Sequence, residues 1–189
     1  SMPGQFHFPL NQIEKTIEAS MKLGINGIIL FGIPETKDET GTDTINEDGI
    51  IQRTVRMIRK SFPELIIITD ACFCQYTTHG HCGILDENGD IDRKNSLKQL
   101  QVQALSHVNA GADSVAPSCM IDGMVQYIRE ALDNRGYEDR GILSYAVKYA
   151  SAFYGPFRDA VNSAPQQGDR KSYQLDPANI RESLKEAQM

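Results

Sequence analysis

Apolar and polar positions along this chain follow two rhythms in turn, one helical and one extended. Over residues 10–23, Ile13, Ile17 and Met21 recur every four positions among polar neighbours and Gly24 follows, which predicts an amphipathic helix with a glycine stop. Residues 26–31 are a short apolar run closed by Gly32-Ile33-Pro34, the pattern of a buried strand. Helical spacing returns over Ile50–Ser61, with Ile51, Val55 and Ile58 inward, and Leu65-Ile66-Ile67-Ile68-Thr69 is a second β-branched run fenced by Pro63 and Asp70. The second half repeats the sequence of elements. A helix is predicted over 94–110 from Leu97, Leu100, Ala104 and Val108, closed by Gly111, and a short strand over 113–116. A helix over 120–134 ends before Gly136, and a strand over 141–147 runs into Lys148. Residues 35–48 are acidic and rich in Thr and Gly, which predicts a long mobile loop. Residues 1–9 and 149–174 also read as loops, and a last helix follows Pro177.

Strands that alternate with helices through short turns specify right-handed βαβ units, hence an α/β fold with a parallel sheet. The turns Lys22-Leu23-Gly24-Ile25-Asn26 and Asn109-Ala110-Gly111-Ala112-Asp113 resemble one another, as a stacked array requires. In such arrays the chemistry lies at the carboxyl ends of the strands. Asp70, Ser118 and Lys148 fall at three of those ends.

Composition narrows the function more than the fold. A chain of 189 residues suffices for one domain with a sizeable core. Its 25 acidic against 19 basic residues give no electrostatic case for a nucleic-acid partner. No apolar stretch approaches the eighteen residues of a membrane span, and no basic segment leads into an apolar one at the start, so the expectation is a cytoplasmic protein without a membrane partner.

Three of the four cysteines, Cys72, Cys74 and Cys82, lie within eleven residues as C-x-C-x7-C. Thiolates bind a borderline-soft cation such as Zn²⁺, and three of them leave one position open for water or substrate, the arrangement of a catalytic metal. His79 or His81 would close that position, and a plain set of buried or disulfide-bonded cysteines is the simpler alternative. Lys148 sits among Tyr145, Ala146, Val147 and Tyr149. Burial would lower its pKa and make the neutral amine a nucleophile toward a carbonyl, whereas an ordinary strand-end lysine would reach out to solvent. Arg158 and Arg170, in the loop that follows, have the forked geometry that holds a carboxylate, or are surface arginines.

The cysteine stretch, Val115-Ala116-Pro117-Ser118, Ser144-Tyr145-Ala146-Val147-Lys148, Phe153-Tyr154-Gly155-Pro156-Phe157-Arg158-Asp159 and Gly168-Asp169-Arg170-Lys171-Ser172-Tyr173-Gln174 together resemble the porphobilinogen synthase (5-aminolevulinate dehydratase) family, in order and over essentially the whole chain. Ser1-Met2-Pro3-Gly4 is similar to that family's sequence just after its first barrel strand. The resemblance implies a (β/α)8 barrel, of which this chain would be a single domain of about four consecutive units. It implies condensation of two 5-aminolevulinate molecules to porphobilinogen in haem and tetrapyrrole biosynthesis. It assigns Cys72, Cys74 and Cys82 to zinc, Lys148 to the Schiff base, Arg158, Arg170 and Gln174 to the substrate, and Asp70 and Ser118 to polar active-site positions. Glu186 falls where some bacterial members carry a magnesium ligand. Homo-oligomers, octamers in the family, are the implied assembly.

The family's second Schiff-base lysine, the later substrate-binding serine and tyrosine, and the N-terminal arm have no counterpart among these residues. A complete barrel takes about 250 residues. The expectation is therefore the central part of a barrel with little activity by itself. Two other readings are a non-catalytic zinc-binding or assembly module, and a different Schiff-base lyase of the aldolase kind.

Overall fold

The computed structural model describes residues 3–188; Ser1, Met2 and Met189, with the readings placed on them, lie outside the described residues. Four parallel strands, β1 (Gly27–Leu30), β2 (Ile66–Ala71), β3 (Ser114–Pro117) and β4 (Gly141–Ile142), form one sheet in the order β1-β2-β3-β4. Between them run α1 (Ile13–Lys22), before β1, then α2 (Ile50–Ser61), α3 (Arg93–Ala110) and α4 (Met124–Asp133). Two further helices follow, α5 (Gly155–Ala160) and α6 (Ile180–Gln188). The predicted α/β alternation is the observed one.

The register sets which side chains share a face. Ile29 lies beside Ile68, and Asp70 beside Ala116. On the opposite face Ile67 packs with Val55 and Ile58 of α2, and Ala71 with Leu100 and Ala104 of α3. These two apolar clusters form the core, and the helices cover only that one face. The other face bears the polar residues of the strand ends and several exposed apolar side chains, Ile66 (51% exposed) and Leu143 (50%) among them.

Boundaries moved where local chemistry outweighed periodicity. The first helix begins as a 3-10 turn over Leu10–Gln12 before α1. The third starts at Arg93, because the Asp92 side chain accepts from the Asn95 N–H at 3.0 Å and caps it. Gly111, with φ of 114°, ends that helix in the left-handed conformation, as the sequence indicates. The next helix begins at Met124 and not at residue 120, since Met120 (φ 61°) and Gly123 (φ 84°) hold the intervening chain in a turn.

The strand expected over 141–147 pairs as a strand only at Gly141–Ile142. Leu143 and Tyr145 still donate to the carbonyls of Val115 and Pro117, but Pro117 has no N–H to return the bond and the ladder lapses. The acidic 35–48 segment is a correction to the expected mobile loop. Asp38 accepts from the N–H groups of Thr40 and Thr42, its backbone pairs with residues 76 and 78, and Gln99 of α3 donates to Thr40 and Gly41 carbonyls. Residues 149–174 also contain α5.

Candidate active site

Strand β2 ends in the loop that carries the cysteines. Phe73 is fully buried, and its carbonyl accepts from the N–H groups of Tyr76 and Thr77, so the chain turns back sharply and returns Cys82 toward Cys72 and Cys74. Gln103 of α3 donates to the Cys72 carbonyl at 3.3 Å and holds the first turn from below. The three sulfurs lie within 4.8 Å of one another, all buried, and all four cysteines are free thiols, which removes the disulfide alternative. Cys72 and Cys74 sulfurs are 3.6 Å apart. In a tetrahedral zinc site with bonds of about 2.3 Å the sulfurs stand about 3.8 Å apart, so the trio fits such an ion. Hydrogen bonds from Cys119, Cys74 and Cys82 hold the Cys72 thiol well below its usual range despite burial. The bond to Cys72 and its negative charge in turn push the Cys82 thiol up to about 11.

The histidines do not join the trio. His79 Nε2 donates to the Glu39 carbonyl at 2.9 Å, and its Nδ1 accepts from the His81 N–H. His81 Nε2 donates to the Gln167 carbonyl at 2.9 Å, and its Nδ1 lies 3.0 Å from the Tyr173 hydroxyl. Both rings are committed elsewhere. Among the described residues the cysteines alone form a metal-holding group, and Glu186, half-buried on α6, has no gathered companion ligand.

Lys148 is 7% exposed, which excludes the solvent-reaching alternative. Its Nζ donates to the Ser118 carbonyl at 2.7 Å and stands 5.6 Å from the ring centres of both Tyr145 and Tyr154. Burial pushes its pKa down, but the negative charge of Cys82, Cys72, Cys74 and Asp70 outweighs burial and holds it above the ordinary lysine value. The lowering expected from burial is therefore reversed by these neighbouring charges. Asp70 lies between these groups. Its Oδ1 accepts from the Ser118 hydroxyl at 2.7 Å, and its Oδ2 from the Gln75 amide at 3.2 Å. Burial, then the Cys72 charge, pushes its carboxyl up to about 7.

The segment after β4 closes over this rim. Arg170, 3% exposed, donates to the carbonyls of Gly80 and Ser163, with its Nε unpartnered. Arg158 stacks 5.9 Å from the Tyr154 ring, also with a buried unpartnered Nε. Gln174 is buried with neither amide atom bonded. Unpaired buried donors and acceptors are costly, so their presence here fits a polar ligand.

Sequence reasoning missed Gln75, Tyr173 and the two tyrosines beside Lys148. Gln75 lies inside the cysteine loop, and its proximity to the thiols was a usable signal. Tyr145 and Tyr154 lie within the motifs of the resemblance but were given no role there, and they gain one from the rings they present to Lys148.

The delta-aminolevulinic acid dehydratase family model matches residues 1–189. The enzyme of that name from Bacillus subtilis (strain 168) is 51% identical over 188 residues, covering 100% of this chain and 58% of the relative. That from Staphylococcus aureus is 49% identical over 187 residues, covering 98% and 58%. The crystal structure of delta-aminolevulinic acid dehydratase (porphobilinogen synthase) from Toxoplasma gondii ME49, in complex with the reaction product porphobilinogen, superposes with a TM-score of 0.95 at 40% identity, over 99% of this chain and 54% of that one. The chain thus spans a little over half the length of the proteins it matches, and its parallel β/α units are part of a barrel of that kind. With a thiol trio and a buried amine on one rim, and a family match along its whole length, the chain belongs to the delta-aminolevulinic acid dehydratase family.

Proposed function

We propose that this chain supplies the metal-holding and first imine-forming part of a porphobilinogen synthase acting on 5-aminolevulinate, with zinc as the ion held by Cys72, Cys74 and Cys82. One observation carries the reading: a continuous path of polar contacts joins the thiols to the amine. Cys74 Sγ meets Gln75 Oε1 at 3.6 Å, the Gln75 side-chain amide donates to Asp70, the Ser118 hydroxyl donates to Asp70, and Lys148 donates to the Ser118 backbone carbonyl.

In the reaction, Lys148 as a neutral amine adds to the substrate ketone, and loss of one water gives a protonated imine that acts as an electron sink. Asp70, poised near neutrality, takes and returns the proton as hydroxyl leaves. Arg158, Arg170 and Gln174 hold the substrate carboxylate, and the segment that bears them excludes water and orients the ketone. A zinc ion held by Cys72, Cys74 and Cys82 would supply Lewis acidity toward a substrate group or a bound water. Burial of Lys148 disfavours its ammonium form and so works toward the free amine that the addition needs.

The magnesium assignment at Glu186 rests on resemblance alone. A homo-oligomer in the cytoplasm belongs to the same reading; no helix among the described residues is long and apolar enough to cross a membrane.

The test is pyrrole formation from 5-aminolevulinate. Zinc-loaded chain supplemented with the barrel part that bears the second lysine should form pyrrole and lose that activity to a chelator; these 189 residues alone should form little. Zinc-independent turnover of other keto substrates would replace this reading with an aldolase-type lyase. Robust pyrrole formation by the unsupplemented chain would remove the need for a second amine.

A further inference from the structure

The cysteine loop is covered just before Cys82. Residues 163–173 lie on it through a set of bonds concentrated at three consecutive positions, 79–81, immediately before Cys82. The Gln166 N–H donates to the His79 carbonyl at 3.0 Å. Arg170 donates to the Gly80 carbonyl at 2.8 Å. His81 donates to the Gln167 carbonyl, and Tyr173 meets the other nitrogen of the same ring. The Tyr173 hydroxyl also faces the Cys82 backbone N–H. Gly80 makes the seat possible: its φ is +73°, and a Cβ there would stand 2.5 Å from the Ala164 carbonyl oxygen. A cleft of about 640 Å³, lined in part by His79, His81, Gln167 and Tyr173, flanks the seam.

We propose that Tyr173 is a positioning residue for the metal centre, joining the 155–174 segment to the loop that carries Cys82 so that closure of the segment and occupancy of the thiol trio favour one another. The inference rests on the trio holding a metal. Residues 79–81 lead directly into Cys82, and the segment fixes them, while Ser96 of α3 holds the chain on the other side of Cys82 through the Ile84 N–H. An ion that fixes Cys82 therefore stabilises the seat, and by linkage the seated segment tightens the ion by the same factor. Neither the family match nor the cysteine pattern requires this.

The experiment uses the whole chain with Zn²⁺ alone as probe. Tryptic cleavage at Arg158 and Lys171 is followed by mass spectrometry with zinc and with a chelator, and zinc affinity is read by competition with a chromophoric chelator. Zinc should slow cleavage in this segment about tenfold in the parent chain, and Tyr173→Phe should lose most of that protection and bind zinc about tenfold more weakly. Asp159→Asn, an exposed change on α5, should keep both. Gly80→Ala, which pushes at the Ala164 carbonyl, should behave as Tyr173→Phe, so the outcome does not depend on one variant. Zinc binding that leaves cleavage unchanged, or a Tyr173→Phe chain equal to the parent in both readouts, overturns the proposal. Absence of zinc binding in the parent chain overturns the metal reading as well, and the chelator competition alone identifies that failure.

Discussion

Burial acts in opposite senses on Asp70 and Lys148, raising the acid and lowering the base, while the neighbouring thiolates raise both. The carboxyl is thereby left with a pKa of about 7, able to move a proton in either direction, and the amine is held charged until a base takes its proton. Asp70→Asn keeps the hydrogen-bonding shape toward Gln75 and Ser118 but cannot transfer a proton. It should slow imine formation with 5-aminolevulinate about 10²-fold or more, measured by the rate of borohydride-trappable adduct; an unchanged rate would remove Asp70 from the proton path. At this scale much was legible beforehand: the C-x-C-x7-C spacing and the placement of Lys148 at a strand end located the trio and the amine. The sign of the Lys148 shift was not legible, because it depends on charges that meet only in the folded loop. The same holds for the histidines, whose position beside Cys82 suggested ligands but whose rings serve the 163–173 segment.

Among the elements, α2 was readable to the residue, since Ile51, Val55 and Ile58 keep strict helical spacing and Pro63 enforces the end. Ile58 is fully buried against Ile67, so Ile58→Ala should cost about 2–5 kcal/mol, enough to unfold a marginal domain, as urea denaturation would record. Less readable was β4, where the sequence is apolar enough for seven residues yet the partner strand offers a proline. The polar 35–48 segment was misjudged for the opposite reason. Composition suggested mobility, while Asp38 and Gln99 satisfy its backbone in place. His107 of α3 adds a pH dependence that no pattern disclosed. It is buried, its Nδ1 lies 3.0 Å from the Thr69 hydroxyl and its Nε2 has no partner. Burial lowers its pKa to about 3. The unfolded chain takes up a proton near pH 6.5 and the folded chain does not, so stability should fall as the pH drops from about 6.5 toward 3. His107→Gln should flatten that part of the urea-midpoint profile; an equal slope in the variant would contradict the assignment.

At the scale of the molecule, helices cover one face of the sheet and leave the other, with Ile66 and Leu143 about half exposed, open along with two strand edges. Such surfaces associate. These 189 residues should show concentration-dependent growth in light scattering, reduced when Ile66 and Leu143 are replaced by threonine; a monodisperse monomer at high concentration would contradict this. The polar groups lie at and beyond the carboxyl ends of the strands: Asp70 in β2, the thiols after it, Ser118 after β3 and Lys148 beyond β4. Parallel register and short crossovers thus do the chemical placement: each strand carries its end residue to the rim that its neighbours share. The most direct test of that placement is borohydride reduction in the presence of 5-aminolevulinate, followed by peptide mapping. The account predicts one modified residue, Lys148. Modification of another lysine, or no adduct at Lys148, would contradict it.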